Sequence, residues 1–327
     1  MPKHLVVLLL VSLIAYPALA ERQVGPISDE IREQYALDTY YTKLLNADGL
    51  LFLGSDKVPD EAFLEAAYLI DHVLDGRDDL RKAIAKLEIR LVIMAENEFT
   101  TDVPEHRRMA NHENGKDWWD RRARGLGARG YRSAMSCGVE NLLQYKGDPY
   151  HDENILIHEF AHVIDDVGLA EIDKAFEEKL ANCYEMAMKE GLWEGGYGRT
   201  NRSEYWAECV QVWFFCNPPK ARHDHTDVNT REELKTYDPR AYKLLEEVFG
   251  DNDYQYVFPN ARQDKAHLAK WDFDNAAEFA WPKRLKNVNT RPKPKPKKDG
   301  VTESGPSCPC EHQPLIGYPV RPHARED

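Results

Sequence analysis

Asp152-Glu153-Asn154-Ile155-Leu156-Ile157-His158-Glu159-Phe160-Ala161-His162-Val163-Ile164-Asp165-Asp166 is the stretch on which the reading of this chain turns. Ile155, Leu156, Ile157, Phe160, Ala161, Val163 and Ile164 make it apolar nearly all round, the pattern of a helix buried inside a protein. Gly168 closes that helix or permits a turn. Two histidines and a glutamate in such a helix are costly to bury unless a metal or hydrogen-bonding partners meet them. His158 and His162 stand at i and i+4, about 40° apart around a helix of ~3.6 residues per turn, so both imidazoles can reach one ion. Glu159 then projects beside that ion, where a carboxylate can take a proton from water and hand it to a leaving amine. With 12 histidines in 327 residues, a chance His-Glu-x-x-His has odds on the order of a few per cent. The motif therefore needs support from elsewhere in the chain.

A catalytic zinc site takes three protein ligands and keeps a fourth position for water. Downstream, Asn201-Arg202-Ser203-Glu204-Tyr205-Trp206-Ala207-Glu208 opens a predicted helix from about Arg202 to Phe215, stopped by Pro218-Pro219. Glu204 and Glu208 lie at i and i+4 on one of its faces, and by spacing alone either suits the ligand position. The other then accepts a ring N–H from a ligating histidine and fixes its orientation. Asp165 and Asp166, one turn beyond His162, are further candidates for that supporting role.

Three segments in this order, His158 to Asp166, Tyr197-Gly198-Arg199-Thr200-Asn201 and Glu204-Tyr205-Trp206-Ala207-Glu208, resemble the catalytic domain of anthrax lethal factor and the related Pro-Pro endopeptidases. The resemblance is strongest over residues 150 to 216 and reaches back to about 28. It implies a zincin-like metallopeptidase that hydrolyses peptide or protein substrates with one Zn2+ ion. His158, His162 and Glu204 are the implied ligands, Glu159 the general base, and Tyr197 a hydroxyl donor to the substrate oxyanion. Glu208 is then left, with Asp165 and Asp166, to support the ligands. A phenol, with a reference pKa of ~10, is protonated at neutral pH and suits such a donor. The chain shows no counterpart of the toxin's cell-entry and docking domains, so cleavage of intracellular kinases does not carry over. A preference for proline near the scissile bond is an analogy from other members.

The first twenty residues read as a secretory signal: Lys3 and His4, an apolar run from Leu5 to Ala15, then Ala18-Leu19-Ala20 before Glu21. That run is too short for a membrane span, and no later stretch approaches the ~20 apolar residues one needs. A secreted protein, extracellular or in a bacterial periplasm or at a cell surface, is expected, with no integral membrane segment in its mature chain. The net charge of −13 and a pI of 5.5 exclude the basic surface that nucleic acid requires. In an exported chain, six cysteines are expected to serve as disulfide partners. Cys209 and Cys216 share one predicted helix, about 10 Å apart at ~1.5 Å per residue, which is too far for a bridge between them. If all four body cysteines are oxidised, each of these two must reach Cys137 or Cys183.

The spacing predicts helices over 28 to 46 and 59 to 87, forming a helical first part (28 to 87) ahead of a metal-binding core (88 to 282). Glu88 to Ala95 is the best strand, read as the edge along which an extended peptide adds by main-chain hydrogen bonds. Loops and short strands are expected over 101 to 150, and another helix over 170 to 189. The fold class is α+β, with a small mixed sheet and a mostly helical C-terminal lobe. Residues 283 to 327, rich in Pro and Lys, read as a disordered tail whose cations suit weak binding to acidic surfaces.

Gly125-Leu126-Gly127-Ala128-Arg129-Gly130 matches a dinucleotide fingerprint literally but lacks its strand and helix context, so it is read as a basic loop near the cleft. Arg121, Arg122, Arg124, Arg129 and Arg132 are read as solvated. His223 and His225 are surface histidines by default. Trp206 and Trp213 are expected in the core, with Trp193 a candidate for the pocket. Asn201-Arg202-Ser203 is a glycosylation sequon expected to go unused. The rival reading is a catalytically silent extracellular binding protein on the same fold.

Overall fold

A computed structural model describes residues 22–218 and 226–290. The segment read as an export signal, His223, His225, Cys308, Cys310 and residues 291 onward lie outside the described residues.

Strands β1 (Gly25–Pro26), β2 (Lys43–Ala47), β3 (Leu50–Gly54), β4 (Arg90–Met94), β5 (Gly125–Leu126) and β6 (Ala134–Gly138) form a single sheet in the order β1-β2-β3-β4-β6-β5. The β3–β4 and β4–β6 pairs are parallel and the others antiparallel. The chain is therefore α+β with a mixed sheet, as its class was read. Every side chain of β3, β4 and β6 is buried, because helices cover these strands.

The helix predicted over 28 to 46 is a correction. Only α1 (Asp29–Gln34) forms there, capped by the Ser28 hydroxyl, and β2 and β3 follow as a hairpin. Asp48 and Gly49 have φ of +53° and +90°, the two left-handed positions of a type I′ turn, and Asp-Gly is among the strongest short hairpin signals. Apolar spacing had masked that turn. The expected strand at Glu88 to Ala95 is present as β4, but it is central, with parallel neighbours on both sides. The free edge nearer the histidine motif is β5, in the glycine-rich stretch set aside as a decoy. Helices α2 (Asp60–Val73) and α3 (Asp78–Lys86) connect β3 to β4, so the first part of the chain belongs to the same sheet as the core.

Helix α4 (Gly115–Arg122) leads into β5, and α5 (Val139–Leu142) follows β6. The histidine-bearing helix α6 (Ile155–Val163) runs into a π-helical turn, Ile164–Leu169, and then the short α7 (Ala170–Ile172). A break at Asp173 separates α7 from α8 (Phe176–Lys189), because the Asp173 carboxylate accepts the Ala175 N–H and competes with the helix. Then come α9 (Arg202–Trp213), α10 (Arg231–Tyr237) and α11 (Pro239–Phe249). Among the described residues, no helix is long and apolar enough to cross a membrane.

Helix α6 is packed between the sheet and α9, with Phe160, Ala161 and Val163 fully buried. Trp206 and Trp213 are buried on α9, and the Trp206 indole N–H donates to the Ala161 carbonyl at 2.8 Å. Trp193 is not a pocket residue: it is fully buried and donates to Asp238 at 3.1 Å. The folded body also passes the expected boundary at 282, since Leu285 is buried and Arg284 pairs with Asp117 and Asp120. No disulfide joins the described cysteines. Cys137, Cys183, Cys209 and Cys216 are free thiols, three of them buried, and burial pushes the buried thiols up in pKa, which suppresses the thiolate that exchange chemistry needs.

Candidate metal centre and its cleft

The start of α6 is held by two asparagines. Asn154 caps the helix, its side chain accepting the Ile157 N–H at 2.9 Å, while the Asn141 carbonyl oxygen accepts the Ile155 N–H at 2.8 Å. The Asn141 amide also donates toward Asp148, the Tyr150 carbonyl and the Glu153 carbonyl, each at 2.9 Å. One side chain thus gathers the loop that delivers the helix. Opposite, Asn201 caps α9 by accepting the Glu204 N–H at 2.9 Å. Asn201 is buried, so its sequon is inaccessible to a glycan.

These two helix starts bring His158, His162 and Glu204 together. Their ligand atoms lie within 4.8 Å of one another, and all three residues are buried. Glu204 Oε2 is 3.1 Å from His158 Nε2 and 3.5 Å from His162 Nε2. Two nitrogens and a carboxylate converging in this way form a donor set suited to a borderline divalent cation.

The outer nitrogens have neutral partners. Gln211 donates its amide to the Glu153 carboxylate at 3.2 Å, which turns its carbonyl oxygen to accept from His158 Nδ1 at 2.8 Å. The Ser203 hydroxyl takes His162 Nδ1 at 2.9 Å. Both rings are thereby held with Nδ1 outward and Nε2 toward Glu204, as metal-binding histidines require. The groups that meet the two Nδ1 atoms are thus Gln211 and Ser203, where Glu208, Asp165 and Asp166 were expected as supports. Glu208 is near enough for its charge to act on His158, but Gln211, two turns along α9 from Glu204, occupies the ring nitrogen. Asp166 pairs with Arg129 at 2.7 Å, and Asp165 is pushed up to about 7 by burial and by the Asp166 charge.

The electrostatics centre on Glu204. Burial disfavours a charged Glu204, yet the hydrogen bonds from both histidines hold its carboxyl well below the ordinary range. Burial likewise opposes the imidazolium of His158, but its hydrogen bond to Glu204 and the charges of Glu159, Glu204 and Glu208 raise it well above the ordinary value. A proton between Nε2 and the carboxylate thus supplies positive charge at the point of convergence. A metal ion displaces such a proton when it binds.

Around this centre the cleft is closely fitted. A Cβ on Gly125 would fall 2.9 Å from Glu159 Oε1 and 2.5 Å from Ile155, and one on Gly127 would fall 2.7 Å from the His162 Cβ. Strand β5 therefore lies directly on α6, and only glycine permits that approach. Burial raises the Glu159 carboxyl above its usual range, against the pull of the two histidines. The Tyr197 ring stands 6.2 Å from the His158 ring, centroid to centroid, and its oxygen accepts from Arg122 Nη2 at 3.2 Å. The other arginines of this region are engaged: Arg124 is buried against Glu140 at 2.8 Å, Arg132 pairs with Glu88, and Arg121 sits 4.2 Å over Trp281.

No protein-family model matches this chain, and no curated protein matches it. Among solved structures, the Pro-Pro endopeptidase PPEP-2 from Paenibacillus alvei superposes with a TM-score of 0.43 at 16% identity, over 61% of this chain and 97% of that one. The superposition is partial, and the roles assigned below rest on the geometry of this chain's own residues.

Every metal and catalytic candidate read from the sequence is brought into one site. Gln211, Ser203, Arg122 and Asn141 escaped that reading. Gln211 carried a usable signal, since it lies at i+7 from Glu204 on the same helical face. Asn141 carried none.

Proposed function

We propose that this chain is a zinc-dependent endopeptidase, and the observation that carries the proposal is the convergence of His158, His162 and Glu204 beside Glu159 and Tyr197. The donor set fits Zn2+: two imidazole nitrogens with fixed outer hydrogen bonds and one carboxylate oxygen held ionised. When bound, zinc supplies a Lewis acid and makes water more acidic.

The remaining steps belong to the protein. A peptide laid along the free edge of β5 runs past Glu159, because the base rests against Gly125 on that same strand. Glu159 takes a proton from the attacking water and returns it to the departing amine, a transfer eased by burial that raises its carboxyl pKa above the ordinary value. Tyr197 donates a hydrogen bond from its hydroxyl to the carbonyl oxygen as that atom gains charge, keeping its own proton. The Gln211 carbonyl oxygen, which can only accept, keeps the His158 imidazole in one tautomer, and the Ser203 hydroxyl holds the His162 ring in place. The amino-terminal segment fits export, which makes extracellular peptides or proteins the substrates.

The test is cleavage of a diverse peptide library by the mature, zinc-loaded protein, run beside Glu159→Gln and a chelator-treated sample. Cuts made by the zinc-loaded protein alone support the reading and give the cleavage preference. Absence of cuts at stoichiometric zinc overturns it in favour of a binding protein.

A further inference from the structure

We infer that Arg122 is a positioning residue that aims the hydroxyl proton of Tyr197 at the substrate; the inference rests on the peptidase reading of the site. A phenolic oxygen can accept hydrogen bonds and has one proton to give, whereas a guanidinium only donates. Arg122 Nη2 donates to Tyr197 Oη at 3.2 Å. That contact fills an acceptor direction on the oxygen and turns the phenol's own proton away from the arginine.

The residue is built to hold still. It ends α4, whose Asp120 is buried and accepts from the Thr101 N–H at 2.9 Å and the Thr101 hydroxyl at 2.7 Å. Arg284 and Lys116 also reach Asp120, at 2.7 and 3.0 Å. On the next residue but one, Arg124 is locked to Glu140 inside the core. Tyr197 is steadied from the other side, because Gly198 packs so tightly that a Cβ there would meet Trp193 at 3.2 Å and Glu208 at 3.4 Å. The backbone on both sides of the Arg122–Tyr197 contact is thus anchored, and a hydrogen bond spanning two anchored segments sets a direction rather than a mere proximity.

The experiment compares Arg122→Met, Arg122→Lys, Tyr197→Phe and the Arg122→Met/Tyr197→Phe double variant, on a peptide that the unsubstituted protein cleaves. Arg122→Met is expected to lower kcat roughly tenfold to a hundredfold with KM and zinc content little changed. Arg122→Lys should recover part of the loss, and Arg122→Met should cost less than about twofold once Tyr197 is already Phe. An equal loss in both backgrounds, or a change confined to KM, overturns the inference. A second readout needs no turnover: in protein labelled at tyrosine 13Cζ, the Tyr197 resonance, assigned by its absence in Tyr197→Phe, should move in Arg122→Met. A resonance that stays in place removes the contact itself. A resonance that moves in a protein that cleaves nothing shows instead that the peptidase reading has failed.

Discussion

Two clusters in this protein are built from the same residue types and end differently. At the candidate metal centre, the Glu204 carboxylate meets two imidazoles. On the far side of α2, the Glu65 carboxylate, fully buried, meets His267 at 2.8 Å and is gripped at both oxygens by the Arg262 guanidinium. Tyr68 stacks on that group, with Arg262 4.1 Å over its ring and His267 4.6 Å from it. The second cluster carries its own fixed cation and is complete. The first has only bases that a proton or a metal can charge, with their outer nitrogens turned to neutral partners. A histidine beside a carboxylate is thus no sign of a metal; what tells is whether the protein has already supplied the positive charge.

That contrast can be broken in order of expected effect. Glu159→Gln should lower peptide hydrolysis by roughly a thousandfold or more while zinc content stays at one ion per chain, read by metal analysis beside the rate assay. Loss of zinc together with activity would instead make Glu159 part of the metal's support. Glu65→Gln should destabilise the fold by roughly 3–5 kcal/mol in urea unfolding, because Arg262 is left buried without its counter-charge, and should leave zinc binding unchanged. A fall in zinc affinity there would erase the distinction between the clusters.

Asp148 supplies a third case, a buried carboxylate given only amide N–H donors from Asn141 and Tyr150. Burial pushes it from 3.8 up to about 6 in spite of those bonds. The sign follows from the raised folded value: the ionised form is penalised in the fold, so stability is lost as pH rises from about 4 to about 6. The loss amounts to about 3 kcal/mol. Asp148→Asn should flatten that limb of the stability profile, measured by thermal melts across pH 3 to 7. An unchanged slope would mean that other groups set it. The smallest expected effect concerns the histidine supports: Gln211→Ala should weaken zinc binding by about 10- to 100-fold, and Ser203→Ala by less, read by competition with a chromogenic chelator. Equal affinities would show that the rings are held by packing alone.

The site was more legible in the sequence than the fold around it. His158, Glu159 and His162 are close in sequence and fixed by one helix, so helical periodicity places them without any tertiary knowledge. The early hairpin was hidden because its apolar residues also fit a helical period, and only Asp48-Gly49 spoke against it. The position of a strand within a sheet is a long-range property: β4 reads as a strand from its own residues, but its central place is set by β3 and β6. Gln211 and Ser203 were passed over for a further reason. Charged residues draw the eye as supports, whereas a neutral amide anchored by Glu153 does the same work without adding charge to a buried site.

The glycine contacts of β5 have a mechanical consequence. With no clearance between Gly125 or Gly127 and helix α6, and with Arg129 clasping Asp166 at the helix end, one jaw of the cleft and its floor move as a single rigid piece. A side chain at either glycine would have to push away the helix that carries His158 and His162, so the depth of the cleft over those histidines is set by the absence of two Cβ atoms.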